Sequence, residues 1–200
     1  MSLPSDEAEW ADGPDQGALI DVDLPLVVIV DTGLVIDIKT RIPVSEQWDL
    51  LSKMMALVEA GRLAFPSKVH RELTEMKWPD APGAWCGTAV KKLKHRDPDD
   101  ATMAATLVYT HDLVEQDADN AHEKADPYVV AMAYALKTGK PPYDVAVATT
   151  DTVDRPPLKI AMTTACARLG ITCWDFDTFV AWVRGVFEEP AAEDDLLDFS

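Results

Sequence analysis

The apolar positions of this chain fall into two kinds of run. Leu26-Val27-Val28-Ile29-Val30 and Val145-Ala146-Val147-Ala148-Thr149 are short, continuous and rich in β-branched residues, the pattern of strands buried on both faces. Leu63-Ala64-Phe65 and Ile171-Thr172-Cys173-Trp174 predict two shorter strands. Between these runs, apolar residues return at helical spacing. Leu34-Val35-Ile36 enters a short helix after the turn Asp31-Thr32-Gly33. Trp48, Leu51, Met55 and Val58 predict a helix capped by Ser45 and stopped by Gly61. Pro66-Ser67 opens another through Val69, Leu73 and Met76, and Trp78 to Pro82 is a Pro-rich break. Helices follow over residues 85–95 and 101–114, the second behind Asp97-Pro98-Asp99-Asp100, whose acidic side chains suit a helix amino end. Asp126-Pro127 begins a helix with Pro at its first position, running to Lys137 before Gly139. Residues 158–168 and 176–186 complete the set. Strands alternating with helices predict an α/β fold, a parallel sheet covered on both faces.

Composition bounds this picture. Two hundred residues with 48% hydrophobic content suit one domain with a sizeable core. No apolar stretch approaches the ~20 residues that a membrane helix needs. Residues 1–24 hold seven acidic and no basic residues, so they cannot form a secretory signal and read as a disordered acidic leader. Residues 25–187 form the expected domain and 188–200 an acidic tail. Cys86, Cys166 and Cys173 are an odd, sparse set, read as reduced thiols of a cytoplasmic protein. His70, His95, His111 and His122 form no zinc motif.

The net charge of −17 argues against nucleic acid, because phosphate contacts need Lys and Arg. Its distribution weakens that argument: the two ends carry thirteen acidic and no basic residues, leaving −4 for the body. Lys91, Lys92, Lys94, His95 and Arg96 form one basic run. A solvated helix face is its ordinary reading and a nucleic-acid-binding patch the alternative. Charge neither supports nor excludes an RNA substrate.

Four carboxylates carry the chemistry. Asp31 and Asp151 follow the two longest strand runs, Asp126 stands at the head of a helix, and Glu72 lies near the start of another. Open α/β sheets build their sites beyond the carboxyl ends of the strands. Carboxylates gathered there repel unless a cation joins them, and hard ions such as Mg²⁺ or Mn²⁺ take oxygen ligands. Each residue also has an ordinary reading. Asp31 and Asp151 could be turn residues, Asp126 an N-cap and Glu72 a solvated helical charge. Their joint placement favours a metal-dependent acidic site.

The chain at this point resembles the PIN-domain nucleases, which include the VapC-type toxins of prokaryotic toxin–antitoxin pairs. Val27 to Asp37, with Asp31-Thr32-Gly33-Leu34, looks like their opening strand and its Asp. Pro66 to Leu73, Ala125 to Ala133 and Ala148-Thr149-Thr150-Asp151 are similar to their second, third and fourth blocks, and Ile171 to Trp174 to their last strand. The resemblance covers roughly residues 26–184 and is nearest a little-characterised prokaryotic group. It departs at Gly33, where those nucleases commonly have Asn, and at the unusual stretch Asp154-Arg155-Pro156-Pro157.

The resemblance implies a PIN-like three-layer α/β/α fold with a central parallel sheet of four to five strands. It implies a metal-dependent endoribonuclease in which Asp31, Glu72, Asp126 and Asp151 ligate one or two Mg²⁺ or Mn²⁺ ions, with Thr32 and Thr150 positioning waters around them. Glu123 and Asp154 are auxiliary candidates, better read as surface charge. RNA is the implied substrate, with an antitoxin protein and a homodimer as implied partners. Two other classes compete. Haloacid dehalogenase-like phosphatases need a second Asp two positions after the first, and Gly33 stands there. A non-catalytic PIN-like scaffold is the second competitor, with Leu196-Leu197-Asp198-Phe199 as a docking peptide, although a solvated tail is that segment's ordinary reading.

Overall fold

A computed structural model of the chain describes residues 24–75, 80–113 and 124–186. Residues 1–23 of the acidic leader, the acidic tail, Met76, Trp78, His122 and Glu123 lie outside the described residues.

The middle layer is a sheet of four parallel strands: β1 (Leu26–Val30), β2 (Leu63–Ala64), β3 (Asp144–Ala148) and β4 (Thr172–Trp174), in the order β2-β1-β3-β4. Val27 to Val30 and Val145 to Ala148 are buried along their whole length. Helices cover both faces, which is why these runs do not alternate with polar residues. On one side α1 (Thr32–Arg41), α2 (Val44–Glu59), α3 (Ser67–Thr74), α4 (Ala81–Ala89) and α8 (Phe176–Gly185) pack against one another. On the other, α5 (Asp100–Thr110), α6 (Asp126–Thr138) and α7 (Met162–Arg168) do the same, α6 lying against β1 and β3. The fold is therefore the expected three-layer α/β/α arrangement. Ile29, Leu34, Leu57, Phe65, Met132 and Phe179 are fully buried in its core.

Four local expectations need correction. The helix predicted to be capped by Ser45 begins at Val44, with Pro43 as its cap residue; the locked φ of proline sets the extended entry two residues earlier. Its buried stripe is Gln47, Leu50, Leu51, Met54, Leu57 and Val58, while Trp48 is 79% exposed. Gln47 takes the inward position because its amide donates to the carbonyls of Lys39 and Ile42, the unsatisfied end of α1. The helix expected over 85–95 runs from Ala81, where the Asp80 carboxylate caps Gly83 N–H, and closes in a 3₁₀ turn, Val90–Lys92. The helix expected over 158–168 begins only at Met162, because residues 155–161 form a tight loop closed by backbone bonds between Arg155 and Lys159.

The burial contrast between α2 and α8 gives a direct check. Phe179→Ala removes a fully buried ring and should cost about 3–5 kcal/mol by urea denaturation. Trp48→Ala should change stability by no more than about 0.5 kcal/mol, as expected of an exposed position. Equal losses would place Trp48 in the core.

Candidate functional site

Asp31 is the residue after β1 and the N-cap of α1, so backbone geometry fixes its carboxylate. One oxygen accepts the N–H of Leu34 at 2.6 Å. The other accepts the hydroxyl of Thr149. The strand register explains that second bond. Val30 pairs with Ala148, so the next residues, Asp31 and Thr149, leave the sheet side by side. Both are buried. Burial pushes the Asp31 carboxyl up to about 6; the bonds from Thr149 and Leu34 oppose that rise, and the charge of Asp126 adds to it.

The other three carboxylates join the same edge of the sheet, Asp126 and Asp151 through bonds that lead back to Asp31 and Glu72 through the chain neighbours of Asp31 and Asp126. Glu72, in the last turn of α3 rather than near its start, accepts the hydroxyl of Thr32 and, at 2.8 Å, the backbone N–H of Ala125. That second bond ties α3 to the residue before Asp126. Asp126 is the first residue of α6, yet its side chain makes no capping bond; the N-cap reading of Asp126 is overturned. The carboxylate instead turns to the ammonium of Lys159, at 3.2 Å. Asp151 reaches the same ammonium at 3.0 Å and accepts the N–H of Met162 at the start of α7. Its own N–H donates to Thr149 Oγ1 at 3.0 Å, which closes the network back to Asp31.

Lys159 is the residue that sequence reasoning missed. It lies eight positions after Asp151 in the Pro-rich loop, and its side chain is only 11% exposed. Burial works against its charge, but the Asp151 and Asp126 carboxylates prevail and hold its pKa above the ordinary lysine value. The only sequence signal was its being a cation close to an acidic block. Thr149 was also passed over for Thr150. Thr149 touches both Asp31 and Asp151, whereas the hydroxyl of Thr150 faces Gly33, 2.8 Å from where a Cβ would sit. Any larger side chain at Gly33 would meet the Thr150 hydroxyl. Thr32 does act as a partner, to Glu72.

The remaining candidates lie elsewhere. Asp154 accepts the N–H of Ala161 at 2.7 Å and holds the loop. Lys92 pairs with Glu59, and His95 bonds the carbonyl of Gly61 at 2.8 Å, in the turn that precedes β2. The basic run Lys91, Lys92, Lys94 and Arg96 thus starts at the amino end of the strands, while the carboxylates stand at the carboxyl end. Asp97 then bonds Ser67 N–H at the carboxyl end of β2, so the segment passes along that edge of the sheet.

The donor set is all carboxylate, the chemistry that a hard divalent ion takes. Among the described residues, however, no three such groups stand as a ready cluster around one ion position. Lys159 supplies positive charge to Asp126 and Asp151, while the Asp31 and Glu72 carboxylates are held by neutral donors. The residues therefore fit an ion in kind on the Asp31–Glu72 side, and the Asp126–Asp151 side already has a cation.

Asp31 makes stability depend on pH. Its folded pKa, about 6, lies above the ordinary 3.8, so folding favours the protonated form. That contribution is complete below about pH 4 and is lost as pH rises through about 6. Between pH 4 and 7, the stability of the metal-free wild type relative to Asp31→Asn should fall by about 2 kcal/mol. Urea denaturation across that range checks it, and a flat difference would remove the desolvated carboxylate from the argument.

No curated protein matches this chain. A family model described as a domain of unknown function, DUF4411, matches residues 29–183, from inside β1 to inside α8 and across all four carboxylates. The chain belongs to that DUF4411 family.

Proposed function

We propose that this chain is a metal-dependent ribonuclease that hydrolyses RNA phosphodiester bonds at the carboxyl edge of its sheet. One observation carries the reading. Asp31, Asp151 and Asp126 are joined by bonds through Thr149 and Lys159 where the strand order reverses, and Glu72 of α3 bonds the chain neighbours of Asp31 and Asp126, so four separate elements bring a carboxylate to this edge. Open α/β sheets bind ligands at that switch point. A structural role alone does not require four acids there, because like charges in proximity cost folding free energy.

In this reading Asp31 and Glu72 would hold Mg²⁺ or Mn²⁺, which when bound supplies a water of lowered pKa and charge stabilisation at the phosphate. Thr149 and Leu34 N–H fix the orientation of the Asp31 carboxylate, and Thr32 and Ala125 N–H fix that of Glu72. Lys159 keeps a positive charge beside Asp126 and Asp151, where a phosphate would approach. An antitoxin partner and a homodimer belong to the same proposal. A second reading, a scaffold without catalysis, draws on the same ion pairs: Lys159 compensates Asp126 and Asp151 without any metal.

Cleavage of single-stranded RNA should require Mg²⁺ or Mn²⁺ and stop in chelator. Asp31→Asn and Asp126→Asn should each reduce the rate severely while far-UV circular dichroism stays unchanged. Thr149→Val, which removes one donor behind Asp31, should cost roughly 10–100-fold. Full activity in either Asn variant would reject the site. A wild type whose melting temperature is indifferent to Mn²⁺ would put the scaffold reading first, since an ion bound only by the folded state adds ~2.7 kcal/mol at a hundredfold excess over Kd.

A further inference from the structure

We propose that Lys159 is the resident cation of the Asp126–Asp151 pair and closes that half of the site to a divalent ion. The inference rests on the metal-site reading above and sharpens it: the chain holds one ion fewer than its four carboxylates would admit without the lysine.

The first support is position. The ammonium lies 3.2 Å from Asp126 Oδ2 and 3.0 Å from Asp151 Oδ2, so it bridges the two acids through one oxygen of each. A divalent ion joining the same two oxygens would lie at 2.0–2.6 Å from them, in the space the ammonium fills. Both cations cannot occupy it, and at such a separation they would repel strongly.

The second support is the loop that presents the lysine. A lysine free to choose its partner loses rotamer entropy on being fixed, yet here the backbone is tied down on both sides of it. Arg155 N–H donates to Lys159 O at 2.8 Å and Lys159 N–H to Arg155 O at 3.1 Å. The Asp154 carboxylate accepts Ala161 N–H at 2.7 Å. Ile160 N–H donates to Asp112 O at 2.9 Å, and the carboxylate of Asp112 is held by both terminal nitrogens of Arg168. Residues from α7 and the 3₁₀ turn His111–Leu113 thus brace the segment that delivers one ammonium to one pair of acids.

Charge gives the third support. With its four carboxylates ionised and Lys159 protonated, the cluster carries three net negative charges. One divalent ion leaves a single negative charge, whereas a second would overshoot to positive. Without Lys159, two ions would neutralise the cluster. The lysine therefore takes over part of the charge compensation and makes it permanent. In this role it is a positioning residue.

Mn²⁺ binding stoichiometry, measured by calorimetry and by the loss of the free-ion electron paramagnetic resonance signal, tests this on the full chain. Lys159→Met keeps the length of the side chain and removes its charge, and should bind one ion per chain more than wild type. Lys159→Arg, which restores the charge, should return to the wild-type count. Equal counts for wild type and Lys159→Met would overturn the proposal. The wild-type count tests the metal reading separately. No ion on wild type but one on Lys159→Met supports the lysine's role and sinks the nuclease reading, while no ion on either chain overturns both. Should Lys159→Met fail to fold, wild type alone suffices. Acetylation of Lys159, followed by mass spectrometry, should be equally slow in saturating Mn²⁺ and in chelator. Faster labelling with Mn²⁺ would mean that the ion expels the lysine, and would refute the proposal.

Discussion

The parallel pairing of β1 with β3 is the constraint on which the site depends. Those strands run in register from Leu26 opposite Asp144 to Val30 opposite Ala148. That register delivers Asp31 and Thr149 together at the point where both chains leave the sheet. A register slip would separate them and would also exchange the two faces of each strand, because side chains alternate with a period of two. Burial under helices on both sides holds the register, since every side chain of Val27 to Val30 is enclosed. The same burial raises the Asp31 carboxyl pKa. The hydrophobic core and the chemistry of the site are thus set by one pairing.

Around that point the acids are held in two different ways. Asp31 and Glu72 are oriented by neutral donors, a backbone N–H and a threonine hydroxyl each. Asp126 and Asp151 share an ammonium. A buried charge is costly unless paired and hydrogen-bonded, and the two halves meet that requirement by different means. The neutral donors leave the negative charge in place for a ligand, whereas the lysine compensates it. This division makes the edge electrostatically asymmetric, with its uncompensated charge on the Asp31–Glu72 side.

Outside the site, simple periodicity and capping rules were overridden by near neighbours in the chain. Ser45 looks like a cap, yet Pro43 fixes the entry to α2. Trp48 fits the apolar period, yet Gln47 is drawn inward because the carbonyls ending α1 need its amide. Apolar spacing alone extended α7 back to residue 158, but the bonds between Arg155 and Lys159 keep residues 155–161 out of it. At Gln47 and in loop 155–161 a hydrogen-bonding demand outweighed a modest helical preference, as expected where the preference is worth only a fraction of a kcal/mol per residue.

By itself the sequence determined the layers and the four acids. Continuous β-branched runs can be strands only where both faces are covered, and an acidic residue directly after such a run must lie at the edge of the sheet. Asp31 and Asp151 could be named on that basis, while Glu72 and Asp126, which stand on helices, were added by their joint placement with those two and by the resemblance. Only the tertiary structure decided how they are compensated. Lys159 carries no periodic or motif signal, and its role exists because loop 155–161, braced by Asp112 and Arg168, turns it back over the acids. The choice of Thr149 over Thr150 likewise followed from the register of two strands over a hundred residues apart. Strand and helix patterns are local, so they can be read along the chain. The pairing of charges is a matter of distance in space, and distance is set only when the chain has folded.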